Sequence, residues 1–295
     1  MIIVTGATGQ LGCQIVESLL ARVPADRVGV SVRDPQKARD LAERGVRVRQ
    51  GSFSDAAGLA HAFEGASQVL IVSVDKIGEE AVRQHRAAIA GAVAAGARRI
   101  LYTSHMGASP TSLFEPCRDH AATEEALRAC GVPFTSLRNG FYATSALQFL
   151  AHGSESGEVE LPADGPVSWT AHADLADAAA AVLTDEGRFD GPTPPLTAAQ
   201  ALTFDDIAAI ATEVGGRGVK RITTPDAAFR EQLVGHGVPA GTADQLLGVF
   251  TAGRAGEFAT VDPTLATLIG REPTSLRAVL REQLRGNRAT RPRRS

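Results

Sequence analysis

The sequence predicts an α/β protein, a doubly wound parallel sheet followed by a smaller α+β region, and three observations carry that expectation. The apolar run Ile2-Ile3-Val4 is followed by three glycines, Gly6, Gly9 and Gly12, and then at once by an amphipathic segment from Gln14 to Leu20. Short β-branched runs then alternate with amphipathic stretches as far as about Tyr142, the pattern of strand–helix–strand units. Beyond that point the elements shorten, prolines become more frequent, and no further glycine triplet occurs. The expected division is 1–142 for the sheet domain, to which later segments are free to add strands, 143–284 for a cap region, and 285–295 for a basic, flexible tail.

A chain of 295 residues is long enough for a large core, as one domain or as one with a smaller companion. With 44% hydrophobic and 21% charged residues it has the composition of a globular protein, which excludes wholesale disorder. The longest run of small apolar residues, Ala87 to Ala97, falls well short of the roughly 20 a membrane span needs, and no basic leader precedes the first strand. A cytoplasmic protein without a membrane partner is expected. Cys13, Cys117 and Cys130 are odd in number and contain no Cys-x-x-Cys pair, so neither a disulfide framework nor zinc is indicated. No metal-spaced histidine pair appears, and no metal is expected. The five arginines from Arg285 onward, with no acid among them, leave an acidic body; without interleaved aromatics they read as a solvated terminus rather than a nucleic-acid site.

The opening stretch reads as a strand, a tight turn and a helix. Glycine lets the backbone fold sharply and approach a ligand closely, and the helix start beyond it offers unpaired N–H groups at the positive end of its dipole. A dinucleotide pyrophosphate suits that place. Arg27 to Val32 is the second strand and ends at Arg33. An acidic residue there would hold a ribose 2′-hydroxyl, whereas arginine accommodates a 2′-phosphate, so NADPH is expected over NADH. Lys37 offers a second cation, while Asp34 and Pro35 are placed as N-cap and first residue of the next helix. Val46–Gln50 is the third strand, and Asp55 caps a helix presenting Leu59 and Phe63 on one face. Val69–Ser73 is an apolar run suited to a parallel strand buried on both faces, and its end, Ser73-Val74, should border the cofactor.

A helix from about Glu79 to Ala95 leads through Gly96 to the fifth strand, Arg99–Ser104. Because ligands gather at the carboxyl ends of parallel strands, Thr103, Ser104, His105 and Met106 are candidates. The loop Gly107–Pro116 is placed as a lid, helix Arg118–Cys130 stops at Gly131 and Pro133, and Phe134–Arg138 is the sixth strand, ending in Asn139-Gly140-Phe141-Tyr142. Further on, Val167–Thr170 and Leu196–Ala198 read as short strands and Asp174–Leu183 as a helix. Thr203 caps another helix, with Asp205 and Asp206 in its first turn. Thr224-Pro225 and Asp262-Pro263 repeat the cap-then-proline signal.

The stretches Val4–Gly12, Ser31–Ala38, Gln84-His85-Arg86 and Tyr102-Thr103-Ser104, with His120, Thr123-Glu124, Leu137–Tyr142 and Gly270–Leu276, give the chain a resemblance nearly from end to end. It resembles the atypical short-chain dehydrogenase/reductases of the NmrA-like group, in particular the NADPH-dependent quinone reductase type. The resemblance implies a Rossmann-type domain with NADPH held at Gly6, Thr8, Gly9, Gln10, Leu11 and Gly12, its 2′-phosphate at Arg33, and the nicotinamide near Ser104, Asn139, Gly140 and Phe141. The typical short-chain reductase carries a Tyr-x-x-x-Lys pair; the corresponding helix here reads His120-Ala121-Ala122-Thr123-Glu124. A quinone accepts hydride readily and leaves a stabilised phenolate, so alignment can do most of the work. Ser52 stands where relatives often carry an acidic residue beside the adenine.

Two readings follow. In the first, hydride passes from NADPH to a quinone or related conjugated carbonyl, an aromatic or quinonoid small molecule. Ser104, His105, Asn139 and Tyr142 hold the substrate, His120 is the preferred proton donor or orienting group because imidazole exchanges protons near neutrality, and Tyr142 is the alternative donor or a wall of the pocket. In the second, the protein binds NADP(H) without chemistry, as a redox-sensing regulator. A tailoring reductase or isomerase acting on a polycyclic natural product would use the same site. A homodimer is compatible with either reading.

Overall fold

A computed structural model describes the backbone of residues 1–151 and 157–290 and the side chains as far as residue 285. Its strands are β1 (Ile2–Thr5), β2 (Val28–Val32), β3 (Arg47–Gln50), β4 (Gln68–Ile71), β5 (Arg99–His105), β6 (Phe134–Asn139), β7 (Glu158–Leu161), β8 (Gly191–Pro192) and β9 (Lys220–Thr223). Its helices are α1 (Gln10–Leu20), α2 (Arg39–Glu43), α3 (Ala56–Phe63), α4 (Gly78–Ala94), α5 (Glu115–Ala129), α6 (Ala143–Ala151), α7 (His172–Thr184), α8 (Phe204–Gly215), α9 (Asp226–Gly235), α10 (Ala240–Arg254), α11 (Thr264–Ile269) and α12 (Leu276–Thr290). None of the described helices is long and apolar enough to cross a membrane.

The chain forms two compact units. The first comprises Met1–Asn139, His172–Leu196 and Thr264–Arg271, so the chain returns to it twice. Its sheet has seven strands in the order β3-β2-β1-β4-β5-β6-β8, every pairing parallel. Every residue of β1, β2 and β4 is buried, as a sheet covered on both faces requires. On one face Ile3, Val69, Ile71, Ile100 and Tyr102 pack with Leu59 and Phe63 of α3, Ala88 and Ile89 of α4, and Leu127 of α5. Strand alternation turns Val4, Leu70 and Leu101 to the opposite face. The helix α1 buries Leu11, Ile15, Val16 and Leu19, and Ser18 on it hydrogen-bonds Asp177 of the alanine-rich α7 at 2.7 Å. The strand order reverses direction between β1 and β4, the crevice where such sheets take ligands.

The second unit, Gly140–Ala171, Thr197–Pro263 and Glu272–Ser295, has a parallel pair β7-β9 and an aromatic core. Phe250 meets Phe149, Phe204 and Phe229 at 5.1, 5.6 and 5.4 Å between ring centres, and Trp169 joins Phe204 to Phe141. A buried Asp164 carboxylate accepts the N–H of Phe204 at 2.7 Å and pairs with Arg221 at 2.8 Å.

Several local expectations match: Asp34 caps a one-turn helix at Pro35–Ala38, Asp55 caps α3, and Thr203 forms a capping box with Asp206. Gly96 and Gly131 adopt left-handed φ angles just after α4 and α5. Others are corrected. α1 begins at Gln10, within the glycine loop rather than at Gln14, and α5 begins at Glu115, with Pro116 in its first turn. Val167–Thr170 is no strand. Val167 pairs with Leu202, Ser168 donates to Phe258 O and Thr170 donates to Phe141 O, so its backbone is shared among three partners. Leu196–Ala198 likewise makes a single bridge, Leu196 to Asn139. Pro225 itself, not Thr224, is the N-cap of α9, and the helix after Asp262-Pro263 starts at Thr264. Of the arginine tail, the backbone of 285–290 continues α12, while Arg291, Arg293 and Arg294 lie outside the described residues.

Candidate active site

The glycine loop is built by backbone contact. Gly6 has φ +63°, which favours glycine, and its carbonyl accepts the N–H of Gly9 at 2.9 Å. A Cβ on Gly12 would stand 2.1 Å from the carbonyl oxygen of Gly6, so the first turn of α1 lies directly against the end of β1. The N-cap of α1 is Gly9, with no side-chain cap and no acid in the first turn, which leaves the positive helix end unneutralised. Thr8, Gly9 and Gln10 are exposed there, whereas Leu11 and Gly12 are buried.

At the end of β2, Arg33 is exposed and makes no ion pair among the described residues; its carbonyl accepts from Gln50 at 3.1 Å. Lys37 is exposed in the one-turn helix that follows. The chain beyond β4 is held by neighbouring strands through side-chain oxygens: Val72 N–H donates to Thr5 Oγ1 at 2.9 Å and Ser73 N–H to Thr103 Oγ1 at 2.9 Å. Thr103 is therefore a buried support for this edge, and Val74 N–H donates to Nε2 of His85 at 3.1 Å.

At the ends of β5 and β6, His105 lies opposite Asn139, whose side-chain oxygen is buried without a hydrogen-bond partner. A buried amide oxygen left unpaired in the protein is suited to receiving a ligand N–H. The buried Ser104 hydroxyl donates to Glu124 Oε1 at 2.8 Å. Glu124, 1% exposed, takes two bonds from Arg138, 3.1 Å from Nε and 2.7 Å from Nη2. The hydroxyl proton of Ser104 is thus committed to a buried, paired carboxylate. Gly140, Phe141 and Tyr142 belong to the second unit. There Phe141 packs edge-on to Trp169 and Phe258 at 5.2 Å from each, a core position, and the half-buried Tyr142 bridges to Thr170.

His120, on α5, accepts from or donates to a buried phenol: its Nδ1 is 2.6 Å from the hydroxyl of Tyr102. The same hydroxyl is 3.4 Å from Nδ1 of His85, which is also 3.0 Å from Thr123 Oγ1. His105 stacks on His120 at 6.1 Å, and its Nδ1 accepts the N–H of Gly107 at 3.0 Å with Cys117 Sγ at 3.1 Å. Burial pushes His85 and His105 down to about 4. Burial, then the neighbouring His105 and His85, hold His120 well below its ordinary value. The burial that lowers all three imidazoles favours their neutral forms, so the cluster holds its protons in hydrogen bonds rather than as charge. Residue types alone do not reveal Tyr102 as the partner of His120 or His85 as the next link beyond Tyr102, although both lie in stretches that carry the resemblance. Among the described residues no group of acids, cysteines and histidines is arranged to hold a metal.

The NmrA-like family model matches residues 1–277. Quinone oxidoreductase 2 of Escherichia coli is 37% identical over 282 residues, covering 94% of this chain and 96% of that protein. Among solved structures, the NADPH complex of an Escherichia coli NADPH-dependent quinone oxidoreductase superposes with a TM-score of 0.91 at 35% identity, over 96% of this chain and all of that one. The Citrobacter sp. triphenylmethane reductase complexed with NADP(H) gives 0.88 at 35% identity, over 96% and 99%. With a matching model over nearly its whole length and such relatives from end to end, the chain belongs to the NmrA-like family.

Proposed function

We propose that this protein is an NADPH-dependent oxidoreductase that reduces a quinone or related conjugated carbonyl by hydride transfer. The observation that carries the cofactor half is the contact of α1 with the end of β1 at Gly12 and Gly6, where no side chain fits, beside an uncapped helix end and an unpaired Arg33. Thr8, Gly9, Gln10, Leu11 and the two glycines hold the pyrophosphate, and Arg33, with Lys37 one turn on, takes the 2′-phosphate. Ser73 and Val74 line the edge, and Asn139 offers its unpaired oxygen to the carboxamide end. When bound, NADPH supplies the hydride.

The chemistry asked of the protein is positioning, because a quinone needs little electrophilic activation. On α5 the positions of the usual Tyr and Lys are held by His120 and Glu124. Glu124 fixes Ser104 and Arg138 rather than lowering the pKa of a phenol. The names of the relatives support this reading: one reduces quinones, another triphenylmethane dyes, and the NAD(P)H azoreductase of Xenophilus azovorans is 28% identical over 273 residues. The acceptors so named are unsaturated, conjugated groups.

The test is the loss of NADPH absorbance on adding a panel of benzo- and naphthoquinones, with NADH as control. Turnover with NADPH well above that with NADH is expected. Tight NADPH binding without turnover on any quinone would refute the reductase and return the chain to the redox-sensing reading.

A further inference from the structure

Three elements of the first unit, α4, β5 and α5, bring His85, Tyr102 and His120 into one line of hydrogen bonds, and the backbone fixes the direction of its protons. Val74 N–H donates to His85 Nε2, so the proton of this neutral imidazole sits on Nδ1. That Nδ1–H faces Thr123 Oγ1 at 3.0 Å and the Tyr102 oxygen at 3.4 Å. The Thr123 hydroxyl donates instead to Asp119 O at 2.8 Å, leaving its oxygen to accept. With His85 N–H on one side of the phenol oxygen, the phenol proton turns to the other side, toward His120 Nδ1 at 2.6 Å. His120 then carries its own proton on Nε2, for which no partner is found among the described residues, and the ring is only half-buried.

We propose that Tyr102 is the proton reservoir for reduction and that His120 relays its proton, through both ring nitrogens, to the oxygen of the reduced substrate. The inference rests on the quinone-reductase reading above. Hydride transfer leaves the quinone as a hydroquinone mono-anion. The His120 Nε2–H bond breaks as the O–H bond of the hydroquinone forms, while the Tyr102 O–H bond breaks and a His120 Nδ1–H bond forms. Imidazole ends as its other tautomer and stays neutral throughout. The net change moves a proton from one phenol to another phenoxide, so the step is close to balanced. The tyrosinate is held meanwhile by His85 Nδ1–H. After product leaves, water returns a proton to His120 Nε2 and Nδ1–H goes back to Tyr102, restoring the start. In this scheme His120 is the catalytic residue, and Tyr102 and His85 act through it.

The experiment pairs kinetics with NMR. Tyr102→Phe removes the proton and keeps the ring that packs in the core. It is expected to lower kcat for 1,4-benzoquinone at least tenfold, with KM for NADPH and NADPH affinity within twofold of wild type. The solvent deuterium isotope effect on kcat should change with it. Retention of kcat within twofold would overturn the relay. Nitrogen-15 shifts of the imidazoles, assigned with a His120→Gln variant, decide the proton placement in wild type alone. An unprotonated Nδ1 and protonated Nε2 on His120 are expected at pH 7, whereas a protonated Nδ1 overturns the proposal even if Tyr102→Phe fails to fold. If wild type turns over no quinone, the reductase reading falls, and the nitrogen shifts still decide the tautomer.

Discussion

Replacing His85 by Gln should flatten the dependence of stability on pH. In the unfolded chain the imidazole titrates near ~6.5, whereas in the fold burial holds it at about 4. Between those values the unfolded state binds the extra proton, so stability is fully present above about 6.5 and is lost as pH falls toward 4. The gap of roughly 2.5 units corresponds to about 3 kcal/mol in full, and to about 2 kcal/mol already at pH 5. The groups facing His85 are Val74 N–H, Thr123 and Tyr102, with no carboxylate among the described residues in direct contact to oppose the loss. Gln preserves an acceptor for Val74 N–H and does not titrate. Urea unfolding followed by far-ultraviolet circular dichroism, from pH 8 to 4.5, should show wild type losing about 2 kcal/mol more than His85→Gln by pH 5. His105 and His172, also lowered to about 4 by burial, are common to both proteins and cancel in the comparison. Parallel curves over that range would refute the assignment of a buried, neutral His85.

Arg33→Asp should weaken NADPH binding by about 1.5–3 kcal/mol, one charge-assisted phosphate contact, while leaving NADH nearly unchanged; fluorescence titration of both cofactors checks it, and an equal loss for both would place Arg33 elsewhere. Gly12→Ala forces a methyl group against Gly6 O, whose ideal separation is 2.1 Å. It should cost about 1–3 kcal/mol in stability and abolish NADPH binding, read by thermal melting and the same titration. Unaltered binding would separate the glycine loop from the cofactor.

The parts legible in the sequence are those whose signal is local. Asp34, Asp55 and Thr203 stand directly before the turns they cap, and Gly96 and Gly131 follow the helices they end. The glycine loop with Arg33 about one strand later is a local pattern in the same sense. Val167–Thr170 misleads because its apolar character comes from packing, with Trp169 in the aromatic core, while its hydrogen bonds go to three separate segments. The two-residue β8 has no alternation to detect; it is a strand because Thr135 and Ser136 of β6 are there to pair with it. Within the site, His120 is visible as a residue type, but its surroundings are not. They depend on Tyr102 and His85, 18 and 35 residues away in the chain, and on burial that only the assembled sheet supplies. The same holds for Glu124, whose partners Ser104 and Arg138 come from two different strands.

The first unit is closed by late pieces of chain, and this bears on how the protein is made. Its edge strand β8 and the helix α7 that lies against α1 come from His172–Leu196, and Arg271, which pairs with Asp174 at the start of α7 at 2.6 Å, comes later still. At a synthesis rate of roughly 5–20 residues per second, a nascent chain that has finished β6 waits seconds before these pieces emerge. During that interval Leu11, Ile15, Val16 and Leu19 of α1 lack their covering helix, and the outer edge of β6 is unpaired. A fragment ending at residue 142 would stay in that state permanently, an open sheet edge beside an uncovered apolar stripe, and aggregation rather than a working half-enzyme is its fate.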